Sequence, residues 1–167
     1  MDLVGRALDF ARQAYGPERD LAHPVEVVRI VQSIGAPDEL AAAAALHDVL
    51  EDTEARPELI AATFGSRIAA LVCTLTEDEA IRNYAERKAD LRARACAAGA
   101  DAALLSVADK LSNVRRMRRG EKTYKERKFA HYRATLELMR REHPSLPLLD
   151  RLDRELAALD RSRQITV

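Results

Sequence analysis

The sequence contains no tryptophan, and aromatic residues make up only 4% of its 167 positions. Glycine and proline are also scarce, with six residues each. This scarcity disfavours a turn-rich all-β fold and a disordered chain, because both use these two residues heavily. Hydrophobic residues nevertheless reach 47% of the sequence, so Leu, Ala, Val and Ile must fill the core.

An excess of charge of one sign and long apolar runs are absent as well. Lys plus Arg and Asp plus Glu number 27 each, which argues against a protein that mainly coats nucleic acid or an anionic membrane. No stretch approaches the roughly 18 apolar residues of a membrane span, and the acidic start, Met1 to Phe10, predicts no signal peptide. We therefore expect a cytoplasmic protein without a membrane or nucleic-acid partner.

The sequence has only two cysteines, too few for a disulfide framework or a thiolate zinc site. Cys73 follows the apolar residues Ala69 to Val72, and we expect it to be a small core residue. Cys96 lies in a predicted helix, where we expect no chemical role. Both cysteines are consistent with a reducing compartment.

Apolar residues recur at three- and four-residue steps along almost the whole chain, which is the period of amphipathic helices. No repeat or break in composition indicates a second domain. The sequence predicts one all-α domain, a bundle of roughly eight helices over residues 1–160, with residues 161–167 as a frayed tail. The longer predicted helices are Leu40 to Leu50, Glu79 to Ala98, Ala102 to Arg119 and Lys125 to Glu142.

One Ala-rich helix presents four polar side chains within six positions, in the segment ALHDVLEDT. His47 and Glu51 are four residues apart, as are Asp48 and Asp52, so each pair shares a helix face. The Ala-rich flank indicates that these groups lie deep between helices, where unpaired charge is costly. A divalent cation would relieve that cost, because imidazole and carboxylate ligands converge on one positive centre.

A His-Asp pair near a helix end is by itself most often a surface ion pair, but two further segments favour a metal site. His23 begins its own helix, at a junction able to face His47 and Asp48. Asp109 lies in the otherwise apolar helical run from Leu104 to Leu111. An acid in such a run rarely remains without a partner.

These residues form the pattern H…HD…D, in which the sequence resembles the HD-domain metal-dependent phosphohydrolases. The segments HPVEVVRI, ALHDVLEDT, FG and VADKLSNVRRM follow one another in family order. Together they are similar to the hydrolase domain of the RelA/SpoT family and to its free-standing small alarmone hydrolases, over about residues 3 to 140. The combination of HDxxED with ADKLxN is much more specific than HD alone.

The resemblance implies a metal site that typically binds Mn²⁺ through four side chains: His23, His47, Asp48 and Asp109. It also implies that Glu51 and Asp52 are catalytic and activate and orient the attacking water, and that Asn113 and Tyr132 contact the nucleotide substrate. The implied reaction is hydrolysis of (p)ppGpp at the 3′ position, which yields GDP or GTP and pyrophosphate.

Two departures from the family pattern lie beside these residues. Relatives have a longer basic loop before the HP motif, whereas the segment Tyr15 to Ala22 is short and offers only Arg19 as a cation. Relatives also often have Lys where this sequence has Ser106. Both changes predict weaker discrimination between bases, with phosphoester hydrolysis retained.

Two alternatives stay open: an HD phosphohydrolase with a different nucleotide substrate, and a regulatory module that binds a nucleotide without hydrolysing it. The intact pair Glu51 and Asp52 speaks against a mere binding module. The basic turn Arg115 to Arg119 is more often a solvated face than a nucleic-acid site, although it can also flank substrate phosphates. We expect His131 and His143 to be exposed helix residues. We expect no synthetase activity, for which a further domain would be needed.

Overall fold

The computed structural model describes residues 1–164, which contain ten α-helices and no strand. The all-α prediction is therefore confirmed. None of the ten described helices combines the length and the hydropathy that a membrane crossing requires. The helices are α1 (Leu3–Tyr15), α2 (Ala22–Gln32), α3 (Asp38–Leu46), α4 (Val49–Asp52), α5 (Pro57–Phe64), α6 (Ser66–Leu75), α7 (Tyr84–Ala97), α8 (Ala100–Arg118), α9 (Glu126–Glu142) and α10 (Leu149–Gln164).

The helices form two compact units, one over Met1–Ala80 and one that begins at Ile81. In the first unit α3 packs against α1, α2 and α6. Its residues Leu40–Leu46 are all buried, with at most 2% of each exposed. Five of these seven residues are Ala, and small side chains let neighbouring helices approach α3 from every side.

The end of α3 differs from the prediction of one continuous helix from Leu40 to Leu50. The helix ends at Leu46, and His47 and Asp48 form a turn before α4. A ring nitrogen of His47 lies 2.8 Å from the carbonyl oxygen of Ala44. In a continuing helix that carbonyl would accept from the amide of residue 48, so the His47 side chain competes with the helical hydrogen bond.

In the second unit α8 packs against α7, α9 and α10. The start of α7 is later than predicted, at Tyr84 rather than Glu79, because the Asn83 side chain caps the helix by accepting from the Glu86 amide at 3.1 Å. Helix α10 includes 161–164, the first part of the predicted tail, and basic residues in its last turn favour this extension. The rest of the predicted tail, 165–167, lies outside the described residues. The single domain over 1–160 stays a prediction.

The two units have opposite formal charges. The first contains 6 Lys and Arg against 15 Asp and Glu, a net charge of −9. The second contains 21 Lys and Arg against 12 Asp and Glu, a net charge of +9. The formal charge of zero for the whole chain therefore conceals an acidic half and a basic half.

The prediction that Cys73 is a core residue is wrong, because Cys73 is exposed. Helix α6 buries Ile68, Val72 and Leu75, which share one face at helical spacing. Position 73 lies outside that face. Cys96, in α7, is partly buried, and both cysteines are free thiols.

Candidate metal centre

Two imidazoles and a carboxylate converge in the first unit, where α2 begins and α3 ends. The Nε2 atoms of His23 and His47 are 3.2 Å apart. The Asp48 carboxylate lies 3.1 Å from Nε2 of His47 and 3.6 Å from Nε2 of His23. His47 is 4% exposed, and the side chains of His23 and Asp48 are 12% and 26% exposed. The first unit thus brings together three of the four predicted ligands.

The hydrogen bond of His47 to the Ala44 carbonyl determines its tautomer. A carbonyl oxygen only accepts, so Nδ1 of His47 donates to it at 2.8 Å. In the neutral ring Nε2 is then the acceptor nitrogen, and it lies beside His23 and Asp48. A second hydrogen bond of this kind is how proteins orient a metal-ligating imidazole.

The three side chains fit a divalent cation. Nitrogen and oxygen ligands lie about 2.0–2.2 Å from a bound transition metal, so two ligands of one ion are separated by about 3–3.5 Å. The separations of 3.1, 3.2 and 3.6 Å match that spacing. Imidazole and carboxylate are also the ligand types that such ions accept. The donor chemistry and the spacing both fit a metal site.

The two predicted catalytic acids lie on α4, one turn beyond the histidine-aspartate pair. Glu51 Oε1 accepts from the backbone amide of Glu77, at 2.7 Å, so a backbone contact orients this carboxylate. Asp52 pairs with the Arg19 guanidinium at 2.5 Å. Asp52 is thus paired with a cation, and Glu51 accepts a hydrogen bond from a backbone amide.

Tyr15 belongs to the same region, although no functional role was predicted for it. Its hydroxyl oxygen is buried and has no hydrogen-bond partner in the part of the chain that the structure describes. Burial, together with the charge of Asp48, raises its pKa, so the phenol keeps its proton. The Arg19 guanidinium lies over its ring, 4.3 Å from the ring centre. An aromatic residue at the end of a helix carries no sequence signal for this placement.

Asp109, the fourth predicted ligand, lies on α8 in the second unit and is tightly held there. Lys110 donates to its Oδ2 at 2.8 Å, and Asn113 donates to its Oδ1 at 2.6 Å. Lys122 in turn donates to the Asn113 side-chain oxygen. Lys110 is 5% exposed and Asn113 is 6% exposed. Asn113 therefore orients Asp109, and its predicted contact with the nucleotide stays a prediction.

Helix α9 contains the predicted substrate residue Tyr132, which is buried beside His131, with the ring centres 5.6 Å apart. Its contact with substrate stays a prediction. The prediction that His131 is exposed is wrong, because only 5% of it is accessible. Arg92 of α7 approaches His131 at 2.8 Å, and this contact between two helices has no signal in local sequence. His143 is partly buried and pairs with the Cys96 carbonyl.

The HD domain family model matches residues 3–137, most of the chain. The chain therefore belongs to the HD domain family, a family of metal-dependent phosphohydrolases. The matched segment includes every residue that the sequence pattern singled out for the metal, the water and the nucleotide.

Relatives within this family have more specific names. The guanosine-3′,5′-bis(diphosphate) 3′-pyrophosphohydrolase of Aquifex aeolicus is 32% identical over 120 residues, which cover 67% of this chain but only 17% of that protein. The corresponding enzyme MESH1 of Mus musculus is 32% identical over 123 residues, 68% of each chain. A solved structure of a metazoan ortholog of SpoT, which hydrolyses ppGpp, has a TM-score of 0.77 over 98% of this chain and 96% of its own, at 23% identity. That likeness shows a shared fold.

Proposed function

We propose that this chain is a (p)ppGpp 3′-pyrophosphohydrolase that uses Mn²⁺. The observation that supports it most is the convergence of His23, His47 and Asp48 at separations of 3.1–3.6 Å. We propose Asp109 as the fourth ligand, on the order of the motifs in the sequence. The names of the relatives from Aquifex aeolicus and Mus musculus support the substrate.

The reaction replaces the bond between the 3′ oxygen and phosphorus by a bond from water to the same phosphorus. A bound divalent cation makes water more acidic and offsets negative charge on phosphate oxygens. Glu51 takes the proton of the attacking water, because the Glu77 amide orients its carboxylate. Asp52, paired with Arg19, orients the water. The products are GDP or GTP and pyrophosphate.

We further propose that the chain has no nucleic-acid partner, because the basic turn is paired with carboxylates. Arg115 and Arg118 pair with Glu155, and Arg119 pairs with Glu121. These carboxylates neutralise much of the basic turn. We propose the cytoplasm as the location, because the two cysteines are free thiols.

Metal analysis of the purified chain tests the site directly. After soaking in Mn²⁺ and removal of free metal, we expect about one ion per chain. Asp109→Ala should lower both metal content and thermal stability, because a metal that binds the native state stabilises it. Asp101→Ala, an acid in the first turn of the same helix, is the matched control and should retain the metal. A chain that holds no metal, or loses it equally in both variants, would contradict the site.

Turnover then separates the enzyme from its alternatives. With Mn²⁺ present, we expect release of pyrophosphate from ppGpp. Hydrolysis of other phosphorylated nucleotides but not of ppGpp would favour a different substrate for the same centre. Nucleotide binding without hydrolysis of any of them would favour the regulatory module.

A further inference from the structure

The second unit contains a partly buried arginine that has no carboxylate partner among the described residues. Arg92, on α7, donates one hydrogen bond, from its guanidinium to Nδ1 of His131 at 2.8 Å. Burial lowers the pKa of Arg92. A guanidinium that is partly removed from water without a counter-charge is costly, and such groups usually pair with an anion.

His131 orients Arg92 without neutralising it. A guanidinium only donates, so Nδ1 of His131 must accept, and the imidazole is therefore neutral. His131 is 5% exposed. Burial, together with the charges of Lys110 and Lys88, lowers its pKa to about 2. A carboxylate at this position would form a salt bridge with Arg92, whereas the imidazole leaves the charge available.

Further cations surround Tyr84, on the same helix as Arg92. The Arg127 guanidinium lies 4.5 Å from the centre of the Tyr84 ring, and the Lys88 ammonium lies 5.6 Å from it. The Tyr84 hydroxyl is buried and has no hydrogen-bond partner within residues 1–164. Lys88, Arg92 and Arg127, with Tyr84 and His131, form what we call the α7–α9 cationic cluster.

The chemistry of this cluster suits a compact anion with several charges. Arg92, Arg127 and the Tyr84 hydroxyl offer several hydrogen-bond donors, and Lys88 adds positive charge. A phosphate group presents several acceptor oxygens, and arginine binds two of them at once in a fork. A partly buried arginine and a buried hydroxyl also favour a small anion over the backbone of a long polymer.

We propose that the α7–α9 cationic cluster binds a diphosphate group of the nucleotide. Arg92 donates hydrogen bonds to the diphosphate oxygens, and His131 positions Arg92. This role rests on the proposed function, which makes the substrate a nucleotide with two diphosphates. Its products, GDP and pyrophosphate, share this chemistry, and the experiment distinguishes them.

The test measures binding of GDP and of pyrophosphate to the full chain by calorimetry, in EDTA and at fixed ionic strength. Arg92→Gln should weaken binding of at least one of the two by tenfold or more, and Arg92→Lys, which keeps charge but loses the fork, should lie between. Weaker binding of GDP alone assigns the cluster to the 5′-diphosphate, and weaker binding of pyrophosphate alone assigns it to the 3′-diphosphate. Arg94→Gln is the matched control, because Arg94 lies on the same helix and pairs with Asp90 at 2.7 Å.

Variants of His131 test the positioning role. His131→Gln keeps an acceptor for Arg92 and should keep the affinity. His131→Glu adds a carboxylate beside Arg92 and should weaken binding as much as Arg92→Gln does. Thermal unfolding confirms that each variant is folded, and a rise in KM with little change in kcat should accompany the loss of affinity.

The binding experiment does not depend on turnover, so the two proposals can fail separately. If the wild type hydrolyses ppGpp but Arg92→Gln binds both anions as tightly as wild type, the cluster has no such role and the proposed function stands. Equal losses in Arg92→Gln and Arg94→Gln also overturn the cluster, because they indicate a general effect of charge. If binding depends on Arg92 but ppGpp is not hydrolysed, the diphosphate site stands and the proposed function falls.

Discussion

The two units of this chain differ most in the charge that they accumulate. The first, with a net charge of −9, gathers carboxylates beside two imidazoles. The second, with a net charge of +9, gathers cations around a neutral histidine and a phenol. A metal-dependent reaction on a phosphorylated substrate needs both kinds of site. A neutral total charge therefore does not exclude strongly charged binding sites when each half of the chain is strongly charged.

The largest effect should come from the acidic unit, where the proposed chemistry lies. Glu51→Gln should lower kcat by about 10²- to 10⁴-fold, because the amide keeps the shape of the side chain but cannot take the proton of water. Metal content should not change. Glu54→Gln, an exposed acid just beyond α4, should keep full activity. An unchanged rate for Glu51→Gln at saturating Mn²⁺ would contradict its role.

Base recognition should be weak, because the loop from Tyr15 to Ala22 is short and Ser106 stands where relatives often have Lys. Hydrogen bonds to a base discriminate by leaving groups of the wrong base unpaired, so their loss should reduce discrimination by about 1–3 kcal/mol, or about 10- to 100-fold. We therefore expect comparable kcat/KM values for ppGpp and ppApp. A strong preference for ppGpp would show that other residues replace the missing clamp.

In the basic unit, His131 should make the free energy of unfolding depend on pH. The pKa of His131 is about 2 in the folded chain and about 6.5 in an unfolded one. Below pH 6.5 the unfolded state therefore binds a proton that the folded state does not bind, and the free energy of unfolding falls as pH falls. At pH 5 this residue should remove about 2 kcal/mol of unfolding free energy.

His131→Gln is the variant that isolates this dependence. Urea unfolding at pH 7 and pH 5 should show a smaller loss of stability in the variant than in the wild type. Equal losses in the two proteins would mean that His131 is protonated in the folded chain, and the contrast between the two units would weaken.

The smallest effect should come from Tyr15, whose hydroxyl is buried in the acidic unit without a hydrogen-bond partner among the described residues. Tyr15→Phe should leave the unfolding free energy unchanged or raise it by about 1 kcal/mol, because no hydrogen bond is lost. Tyr124→Phe is the control, since Tyr124 donates to Glu126 at 2.8 Å, and it should be destabilised by about 1 kcal/mol. A clear loss of stability in Tyr15→Phe would reveal a partner for the hydroxyl.

The sequence predicted the helices well, because their apolar period is a local property. That period did not predict the end of α3 at Leu46, because this end depends on a hydrogen bond from the His47 side chain to the Ala44 carbonyl. The sequence also predicted a metal site at three residues that the first unit brings together, and their role as ligands stays a prediction. His47 and Asp48 are adjacent, whereas His23 is 24 residues from His47, and its inclusion depended on the helix start at His23 and on the family pattern.

The remaining features could not be predicted, because they depend on contacts between distant elements. Arg92 and His131 are 39 residues apart, and nothing in either segment indicates that they meet. The same holds for Arg19 and Asp52, which are 33 residues apart. The opposite charges of the two units were present in the sequence, but they emerge only when the boundary near Ala80 is known.

The complete burial of Leu40–Leu46 in α3 has a consequence for how this sequence can vary. Helix α10 buries Leu149, Leu152, Leu156 and Leu159, so substitutions along it should be tolerated and rejected in turn with a helical period. Helix α3 buries every position of Leu40–Leu46, so it has no tolerant face. At Ala41 to Ala45 any larger side chain would push a neighbouring helix outward. In a saturation mutagenesis map α3 should stand out as an unbroken intolerant block that leads directly into His47.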